Sequence, residues 1–340
     1  MRPRVAIAIL NWNGKKFLQQ FLPSVVATAY ENLECVLIDN ASTDDSVAWT
    51  KQHFPAVRII ANPGNHGFAG GYNEGLKQVE AEYVVLLNQD VEVPSGWLEP
   101  VIVMMERDPM IGAAQPKIKQ VSDRHSFEYA GAAGGLMDKN YYPFCRGRVF
   151  DTVEKDEGQF EEDAEIFWAG GACLVVRKKV FDECGGFDAA YFAHMEEIDL
   201  CWRMKNKGYK IMYCAGAEVF HVGGGSLHRS HPFKTFLNFR NSLVTILKNE
   251  HRALAWWILW KRLFYDGLAG LNYLRQGRGG DCWAIVRAHV AFYRSLGRVI
   301  KQRKALKQAA ERPNLTGYIR KNIIWRYYVR RQKTSRRIGS

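Results

Sequence analysis

The chain has 340 residues, of which 47% are hydrophobic and 24% charged, so it is not globally disordered and is long enough for two or three domains. Its seven cysteines are odd in number and form no C-x-x-C pair, which argues against a disulfide framework or a zinc ribbon and favours a reducing compartment. The first apolar run, Val5–Leu10, is too short for a signal peptide or a membrane span.

The formal net charge of +12 is distributed unevenly along the chain. Residues 1–228 carry 22 Lys and Arg against 31 Asp and Glu, whereas residues 229–340 carry 25 against only 4. The C-terminal third is therefore strongly basic. Such a segment indicates an anionic partner, which could be a membrane surface, a phosphorylated lipid or a nucleic acid.

Short apolar runs alternate with helical patterns over residues 1–116. Strands are predicted at Val5–Leu10, Cys35–Asp39, Val57–Ala61 and Tyr83–Leu87. Helices are predicted between them at Lys16–Thr28, Thr43–His53 and Gly71–Val79. The alternation predicts an α/β fold of βαβ units, with a mainly parallel, Rossmann-like sheet flanked by helices.

Polar residues follow each of these four strands. The four strand ends read Asn11-Trp12-Asn13, Asp39-Asn40, Asn62–Gly71 and Asn88-Gln89-Asp90. Turns alone also use Asn, Asp and Gly, but four successive strand ends of this kind favour a nucleotide site. Sheets of this type bind ligands at the carboxyl ends of their strands.

The regular alternation fades after Pro116. Residues 120–165 are predicted to form a long polar excursion. A strand is predicted at Ala172–Arg177, followed by a helix that ends at Lys207 and a strand at Tyr209–Cys214.

The tail is predicted to contain aromatic, basic helices at Phe236–Lys248 and Leu254–Leu274. Charged residues interrupt the second helix too early for a membrane span, which favours a helix lying in the membrane interface. Its Trp256, Trp257 and Trp260 are of the type that settles at headgroup level. The alternative is a helical cap that packs its aromatic face on the body.

Several ordered motifs resemble glycosyltransferase family 2, the inverting nucleotide-sugar transferases of GT-A fold. Gly185–Arg203, GGFDAAYFAHMEEIDLCWR, is similar to the family's GGFDE…F…EDVDLC.R block, and Asn65–Gly75 is similar to its N-x-G-x-x-x-G-x-N-x-G stretch. The resemblance runs from about Val5 to Asn249 and is nearest to bacterial rhamnosyltransferase-like members that build surface polysaccharide.

The resemblance implies a GT-A domain over residues 1–249. Its nucleotide-sugar-binding half would occupy residues 1–116, and its acceptor and catalytic half residues 117–249. Residues 250–340 would form a basic helical extension at the membrane interface.

The resemblance also implies the catalytic groups. The family's ED pair appears as Glu196-Glu197, so Glu197 is the expected general base and Glu196 is the second candidate for that role. Asp199 is expected to be an orienting or helix-capping group. A carboxylate is needed because a sugar hydroxyl is a poor nucleophile near neutral pH.

A metal site is implied by the family's DXD motif and a later histidine. The motif appears here as Asn88-Gln89-Asp90, which leaves Asp90 as the carboxylate ligand, and His221 stands where the family commonly has a metal-binding His. Mn²⁺ or Mg²⁺ is the expected cofactor, since hard cations prefer oxygen and Mn²⁺ also accepts imidazole. Gly223–Gly225 are expected to order over the bound donor.

The donor and acceptor contacts are also expectations from the resemblance. Asp39 or Asn40 would bind the base and Trp12 would stack on it. The remaining donor contacts would come from Asn11, Asn13, Asn65, Gly67, Asn73 and Asn88. The aromatic residues expected to face the acceptor, or alternatively to belong to the core, are Trp168, Phe187 and Phe192.

These observations predict an enzyme that moves a sugar from a UDP- or dTDP-activated donor, with dTDP-rhamnose as one such donor, to a hydroxyl of a glycan or polyprenyl-linked acceptor. The basic tail would hold it on the cytoplasmic face of the membrane, and no nucleic acid is expected as a partner. Two alternatives remain open at this point: a sugar-phosphate nucleotidyltransferase, and a nucleic-acid-binding protein that reads phosphates with its tail.

Overall fold

The computed structural model describes residues 2–223 and 231–339. The strands are β1 (Val5–Asn11), β2 (Leu33–Asp39), β3 (Arg58–Ala61), β4 (Tyr83–Asn88), β5 (Val91–Glu92), β6 (Ile111–Gln120), β7 (Gly135–Asp138), β8 (Pro143–Cys145), β9 (Arg148–Val149), β10 (Thr152–Val153), β11 (Ala164–Ile166), β12 (Cys173–Arg177), β13 (Lys210–His221) and β14 (Tyr318–Ile319). The α-helices are α1 (Lys15–Val26), α2 (Ser46–His53), α3 (Gly67–Leu76), α4 (Leu98–Arg107), α5 (Lys178–Glu183), α6 (Glu196–Asn206), α7 (Pro232–Asn249), α8 (Leu254–Arg275), α9 (Gly279–Arg294), α10 (Leu296–Ala309) and α11 (Ser335–Gly339).

The main sheet has nine strands in the order β11-β13-β6-β12-β4-β1-β2-β3, with β5 paired to β13. Strands β1 to β4 are mutually parallel where they pair, but β12 runs antiparallel to both β4 and β6. The expected mainly parallel sheet is therefore a mixed one. The four strands predicted in the first half are confirmed, with ends that differ by one or two residues.

Helices cover both faces of the main sheet. One core lies between the sheet and helices α1 and α4, with Leu18, Leu22, Val101 and Met105 fully or almost fully buried. The other core lies between the sheet and helices α3, α6 and α7. The sheet is thus buried on both faces, as the continuous apolar runs of β1 and β4 predict.

The polar excursion predicted over residues 120–165 is wrong as a description of structure. This region contains β7 to β10, which form a second, five-stranded sheet together with β14 from the C-terminal segment. The strands are only two to four residues long, so they are too short to show a clear alternation. Phe127, Phe144 and Val149 are nevertheless fully buried there.

The C-terminal third packs on the body. Helices α9 and α10 pack against α7, and β14 pairs with β7 in the second sheet. The expected boundary after Asn249 coincides with the end of α7, whereas the expected boundary after residue 116 falls inside β6. Over residues 2–223 and 231–339, no helix is both long enough and apolar enough to span a membrane.

A buried ion-pair cluster joins α6 to α7. Asp199 accepts from Arg203 Nε at 2.8 Å, from Lys248 Nζ at 2.9 Å and from Asn249 Nδ2 at 2.7 Å. Burial alone favours the neutral acid, but the charges of Arg203 and Lys248 hold the pKa of Asp199 below its usual value. The cluster therefore fixes α6, and with it the start of that helix, against α7.

Removing one charge from this cluster tests its contribution to stability. We expect Asp199→Asn to lower the free energy of unfolding by about 3–5 kcal/mol, because Arg203 would then be buried without its carboxylate, although Lys248 would keep Asp188 as a partner. Asp182→Asn is the matched control, since its pair with Lys178 leaves the carboxylate 56% exposed, and it should cost about 0–1 kcal/mol. Urea unfolding followed by circular dichroism measures both; equal effects would contradict the assignment.

Candidate active site

The carboxyl ends of the central strands meet at one edge of the main sheet. In the strand register Asn11 lies opposite Asp39, and Leu10 lies opposite Asn88. The polar residues predicted after β1, β2 and β4 are therefore neighbours in space. This edge is the candidate site.

Strand β13 brings His221 to the same edge. The sequence predicts a strand ending at Cys214, but β13 continues to His221 through an irregularity between Cys214 and Glu218. At its end β13 pairs with β5, with His221 opposite Val91. The longer strand thus places His221 beside Asp90, which is 131 residues earlier in the chain.

The imidazole of His221 lies between two buried carboxylates. Its Nε2 is 3.1 Å from Asp90 Oδ1 and 3.4 Å from Asn88 Nδ2, and its Nδ1 is 3.4 Å from Glu128 Oε1. Burial lowers the pKa of His221, but the charges of Glu128 and Asp90 outweigh that effect and raise the pKa to about 10. The two carboxylates therefore favour the protonated form of His221.

Glu128 is a residue of this site that the sequence did not indicate. It is 2% exposed and lies in the region predicted to be a polar excursion. A Cβ added at Gly223, whose φ is +72°, would lie 2.7 Å from Glu128 Oε1. Gly223, two residues after His221, therefore leaves room for the Glu128 carboxylate. Only the folded structure reveals this relation.

Glu196 and Glu197 stand in the first turn of α6. Three residues just before that turn, Phe192, His194 and Met195, have φ values of 65°, 67° and 73°. Such left-handed conformations are unfavourable for side chains larger than Gly and cluster at functional sites. The strained loop therefore sets the position of the first helical turn, which carries Glu196 and Glu197.

Glu197 packs against the segment just before β12. A Cβ added at Gly171 would lie 3.9 Å from the Cβ and Cγ of Glu197, so the two residues are in contact. The next residue, Ala172, accepts a hydrogen bond of 3.0 Å from the backbone N–H of Asn88. Two short steps therefore link Glu197 to the strand end that carries Asn88 and Asp90.

The two glutamates differ in how readily they ionise. Burial raises the pKa of Glu197 to about 7, although backbone N–H groups at the start of α6 partly favour its charged form. Burial, together with the charge of Glu197, raises the pKa of Glu196 well above its ordinary value. Each has an Oε2 that is buried without a hydrogen-bond partner among the described residues.

Asp199 does not cap α6, which corrects one of the two roles expected for it. The N-terminal capping position is Met195, and no side chain caps the helix there. Both carboxylate oxygens of Asp199 are engaged in the ion-pair cluster with α7 described above. Its effect on the site is to hold α6 in place.

Asn11 and Asp39 form a buried network under the predicted base-binding position. Asn11 Nδ2 donates to Asp39 Oδ1 at 2.9 Å and to Ser42 Oγ at 3.0 Å, and Asp39 Oδ2 accepts from the Ser42 backbone N–H at 3.1 Å. Asn11 Oδ1 and Gln89 Oε1 are buried and lack a hydrogen-bond partner within the described ranges. Two hydrogen-bond acceptors near the ends of β1 and β4, Asn11 Oδ1 and Gln89 Oε1, are thus not used by the network.

Trp12 and Asn13 have different surroundings. Trp12 is 49% exposed, so its ring is accessible to a ligand. Asn13 has a φ of 51°, and its Oδ1 accepts from the backbone N–H groups of Thr43 at 2.7 Å and Asp44 at 3.2 Å. Its side chain therefore holds the loop after β2.

Asn40, Asn65 and Gly67 tie the loop before α3 together. Asn40 Nδ2 donates to Asn65 Oδ1 at 3.0 Å and to the Gly67 carbonyl at 3.1 Å, while Asn65 Oδ1 accepts from the Gly67 backbone N–H at 2.9 Å. Gly67 has a φ of +68°, and a Cβ there would lie 2.5 Å from the Phe192 ring. This loop is therefore held directly against the strained segment before α6.

Phe187 and Trp168 lie in the core, which is the alternative expected for them, and Asn73 is bound to the backbone of Phe187. Asn73 bridges the backbone of Phe187, with Nδ2 donating to its carbonyl at 2.7 Å and Oδ1 accepting from its N–H at 2.9 Å. Phe187 and Trp168 are buried in the core, and Trp168 Nε1 donates to the Leu136 carbonyl at 3.0 Å. Among the predicted acceptor aromatics, Phe192 is the exposed one, at 38%.

The oxygen and imidazole donors at Asp90 and His221 fit a hard divalent cation as a partial ligand set. Within the described ranges no group of three or more His, Cys, Asp and Glu is arranged to hold a metal. A carboxylate and an imidazole alone suit a cation whose other ligands are substrate phosphate oxygens and water. Gly224 and Gly225, expected to close over the donor, lie outside the described residues.

Solved nucleotide-sugar transferases share this architecture. The structure matches GalNAc-T7, solved with UDP, GalNAc and Mn²⁺, with a TM-score of 0.58 and 16% identity, over 79% of this chain and 51% of that one. It matches S. aureus TarS residues 1–349, solved with UDP-GlcNAc, with a TM-score of 0.57 and 14% identity, over 90% of this chain and 87% of that one. The fold is the GT-A fold, as predicted.

The sequence then identifies the family within that fold. The model of glycosyl transferase family 2 matches residues 6–185, and the chain belongs to this family. A relative, the N-acetylglucosaminyl-diphospho-decaprenol L-rhamnosyltransferase of Mycobacterium tuberculosis, is 27% identical over 266 residues, which cover 74% of this chain and 85% of the relative. The protein is therefore a glycosyltransferase, and the nucleotidyltransferase alternative is set aside.

The close approach at Gly67 leads to a stability prediction. We expect Gly67→Ala to lower the free energy of unfolding by about 1–2 kcal/mol, because a left-handed backbone disfavours any Cβ and this one meets Phe192. Gly96→Ala is the control, since nothing lies within 4 Å of a Cβ there. Urea denaturation of both variants provides the comparison, and an unchanged midpoint for Gly67→Ala would contradict the geometry.

Proposed function

We propose that this protein is an inverting glycosyltransferase that moves a sugar from a UDP- or dTDP-activated donor, dTDP-rhamnose among them, to a hydroxyl of a lipid-linked glycan in surface polysaccharide synthesis. The contact between Asp90 and His221 at the sheet edge carries the proposal, and the packing of Glu197 against Gly171, just before β12, supports it. The mycobacterial relative, an L-rhamnosyltransferase that acts on N-acetylglucosaminyl-diphospho-decaprenol, supports the donor and acceptor classes.

Glu197 is the proposed general base. During the displacement the acceptor oxygen bonds to the anomeric carbon, the bond from that carbon to the diphosphate breaks, and the hydroxyl proton passes to the carboxylate. The base must be ionised before the reaction. Burial raises the pKa of both glutamates, but more backbone N–H groups favour the charged form of Glu197 than that of Glu196, which supports Glu197 as the base.

Asp90 and His221 are the proposed protein ligands of Mn²⁺ or Mg²⁺. The cation, when bound, would neutralise charge that develops on the departing diphosphate. His221 would bind through Nε2 after losing a proton, and Glu128 would keep its Nδ1 side occupied, which fixes the ring orientation. Asn88 would contact the ribose or a water near the cation.

Asn11, Trp12 and Asp39 are proposed to form the base-binding end of the donor site. Uracil and thymine each carry an imide N–H, and the buried acceptors Asn11 Oδ1 and Gln89 Oε1 lack a donor in the described residues. The exposed Trp12 ring offers a stacking surface. The loop held by Asn40, Asn65 and Gly67 would pass near the ribose and phosphates.

Helix α8 supports a peripheral contact with an anionic membrane on the cytoplasmic side. Its inward face contains the buried Arg262–Asp266 ion pair, whereas its outward face is apolar, with Trp260 63% and Phe264 64% exposed. The other large apolar side chains exposed on α8 are Trp256, Trp257, Leu263, Leu268, Leu271 and Leu274. A continuous exposed apolar face of this kind marks an interaction surface, and the basic residues of the C-terminal third would add attraction to anionic lipid.

The base assignment leads to a kinetic prediction. We expect Glu197→Gln to lower kcat by roughly 100-fold or more while donor binding changes little, because the amide cannot accept the hydroxyl proton. Glu196→Gln is the control; it resembles the neutral form of Glu196 and should change kcat little. Steady-state kinetics and isothermal titration with the nucleotide decide the matter, and the reverse ranking of the two variants would make Glu196 the base.

The same assignment predicts the pH profile. The ionised form of Glu197 is the active one, so kcat should rise with pH through the pKa of about 7 and level off above it. A profile of kcat against pH between 5.5 and about 9 tests this, since activity that falls as pH rises through 7 would exclude Glu197 as a base.

Vesicle binding tests the membrane contact. We expect the triple substitution Trp257→Gln, Trp260→Gln and Phe264→Gln to weaken binding to phosphatidylglycerol vesicles by roughly tenfold or more. Trp12→Gln is the control, since it removes an equally exposed Trp far along the chain from α8. Substitution is preferable to truncation after Asn249, because α9 and β14 are part of the folded body. Equal vesicle binding by all three proteins would rule out α8 as the contact.

A further inference from the structure

A groove between α7 and α9 is lined by none of the proposed catalytic residues. Its volume is about 520 Å³, within the usual range of small-molecule sites. The side chains that define it are Phe236, Trp283, Val286, Arg287, Val290 and Arg294. Trp283 is 62% exposed, so a large apolar ring lies open to an incoming ligand.

The groove combines apolar and positively charged side chains. Its floor is aromatic and aliphatic, while the exposed residues Arg287 and Arg294, two helical turns apart on α9, add two positive charges to the same wall. The Arg287 guanidinium lies 5.5 Å from the centroid of the Phe236 ring. No acidic side chain lines the groove. This combination suits an amphiphile with a long apolar chain and a phosphate or diphosphate head.

A row of aromatic rings runs from the groove to the loop before α6, and that loop packs on the segment that contacts Glu197. The ring centroids of Phe236 and Phe233 are 6.1 Å apart, and those of Phe233 and Phe192 are also 6.1 Å apart. The Phe192 carbonyl accepts from the backbone N–H of Phe68 at 2.7 Å. The Phe68 ring in turn lies 3.6 Å from a Cβ added at Gly171, the residue that contacts Glu197.

We propose that the groove between α7 and α9 binds the phosphate-bearing isoprenoid chain of the acceptor lipid, and that the strip Phe236–Phe233–Phe192 leads from it to Glu197. This inference rests on the proposed function and adds the place where the lipid part of the acceptor is held. It is distinct from the α8 face, which would contact bulk lipid. Charge complementarity with a phosphorylated lipid selects this occupant over a neutral apolar one.

Photolabelling of the full-length protein tests the site directly. The probe is a farnesyl diphosphate analogue with a diazirine at the end of its chain, used with saturating UDP so that the donor site is occupied. The proposal predicts that labelled peptides contain Trp283–Val290. Labelling confined to α8, or equal competition by farnesol and farnesyl diphosphate, would overturn it.

Matched variants test the same site by affinity. Val286→Asp with Val290→Asp should weaken farnesyl diphosphate binding by about tenfold or more, since both side chains are exposed and are removed from apolar contact with the ligand. Leu268→Asp with Leu271→Asp on α8 is the control and should leave this affinity unchanged. UDP binding and thermal unfolding of each variant confirm that the fold is intact. Equal weakening by both pairs would overturn the proposal.

The two proposals fail in different ways. If the Val286/Val290 variant transfers sugar to a sugar linked to a long-chain prenyl diphosphate with an unchanged KM, the groove is not the lipid site and the proposed function stands. If the wild-type protein is labelled on α9 but transfers no sugar from any UDP or dTDP donor, the lipid site stands and the proposed function fails.

Discussion

The contact between Asp90 and His221 is the interaction on which the site depends. One residue follows β4 and the other ends β13, and the pairing of β5 with β13 is what brings them within 3.1 Å. The charges of Asp90 and Glu128 favour the protonated form of His221, since burial by itself would favour the neutral imidazole. The ligand-free protein thus keeps the two proposed cation ligands together by their own attraction.

A second constraint fixes the carboxylate on the other side of the site. Helix α6 is anchored at Asp199 by ion pairs to α7, and its start is set by a strained loop that packs on Gly67. The backbone position of Glu197 is consequently fixed. Burial at a helix start also keeps its pKa near neutrality, which is where a general base works best.

The sequence predicted the elements and residues that have strong local signals. The strands of the first half are continuous apolar runs, and the Glu196-Glu197 pair and His221 stand in recognisable motifs. Glu128 had no such signal, since it lies in a stretch of very short strands and acquires its role only through the pairing of distant segments. Trp168 and Phe187 show the opposite problem, because a sequence does not distinguish an aromatic residue that faces a sugar from one that fills the core.

The tail also shows what charge and periodicity can establish. Its basic charge and Trp residues predicted an interfacial helix or a packed cap, and the structure shows packing through one face of α8 with the apolar residues on the opposite face exposed. The buried face carries the Arg262–Asp266 pair, a reversal of the usual amphipathic pattern that composition alone does not reveal.

Anomalous diffraction from crystals grown with UDP and Mn²⁺ tests the central claim most directly. We expect a manganese peak within bonding distance of an Asp90 carboxylate oxygen, His221 Nε2 and the diphosphate. The Glu197 carboxylate should face the space beside them. A manganese ion or diphosphate bound away from both Asp90 and His221 would contradict it.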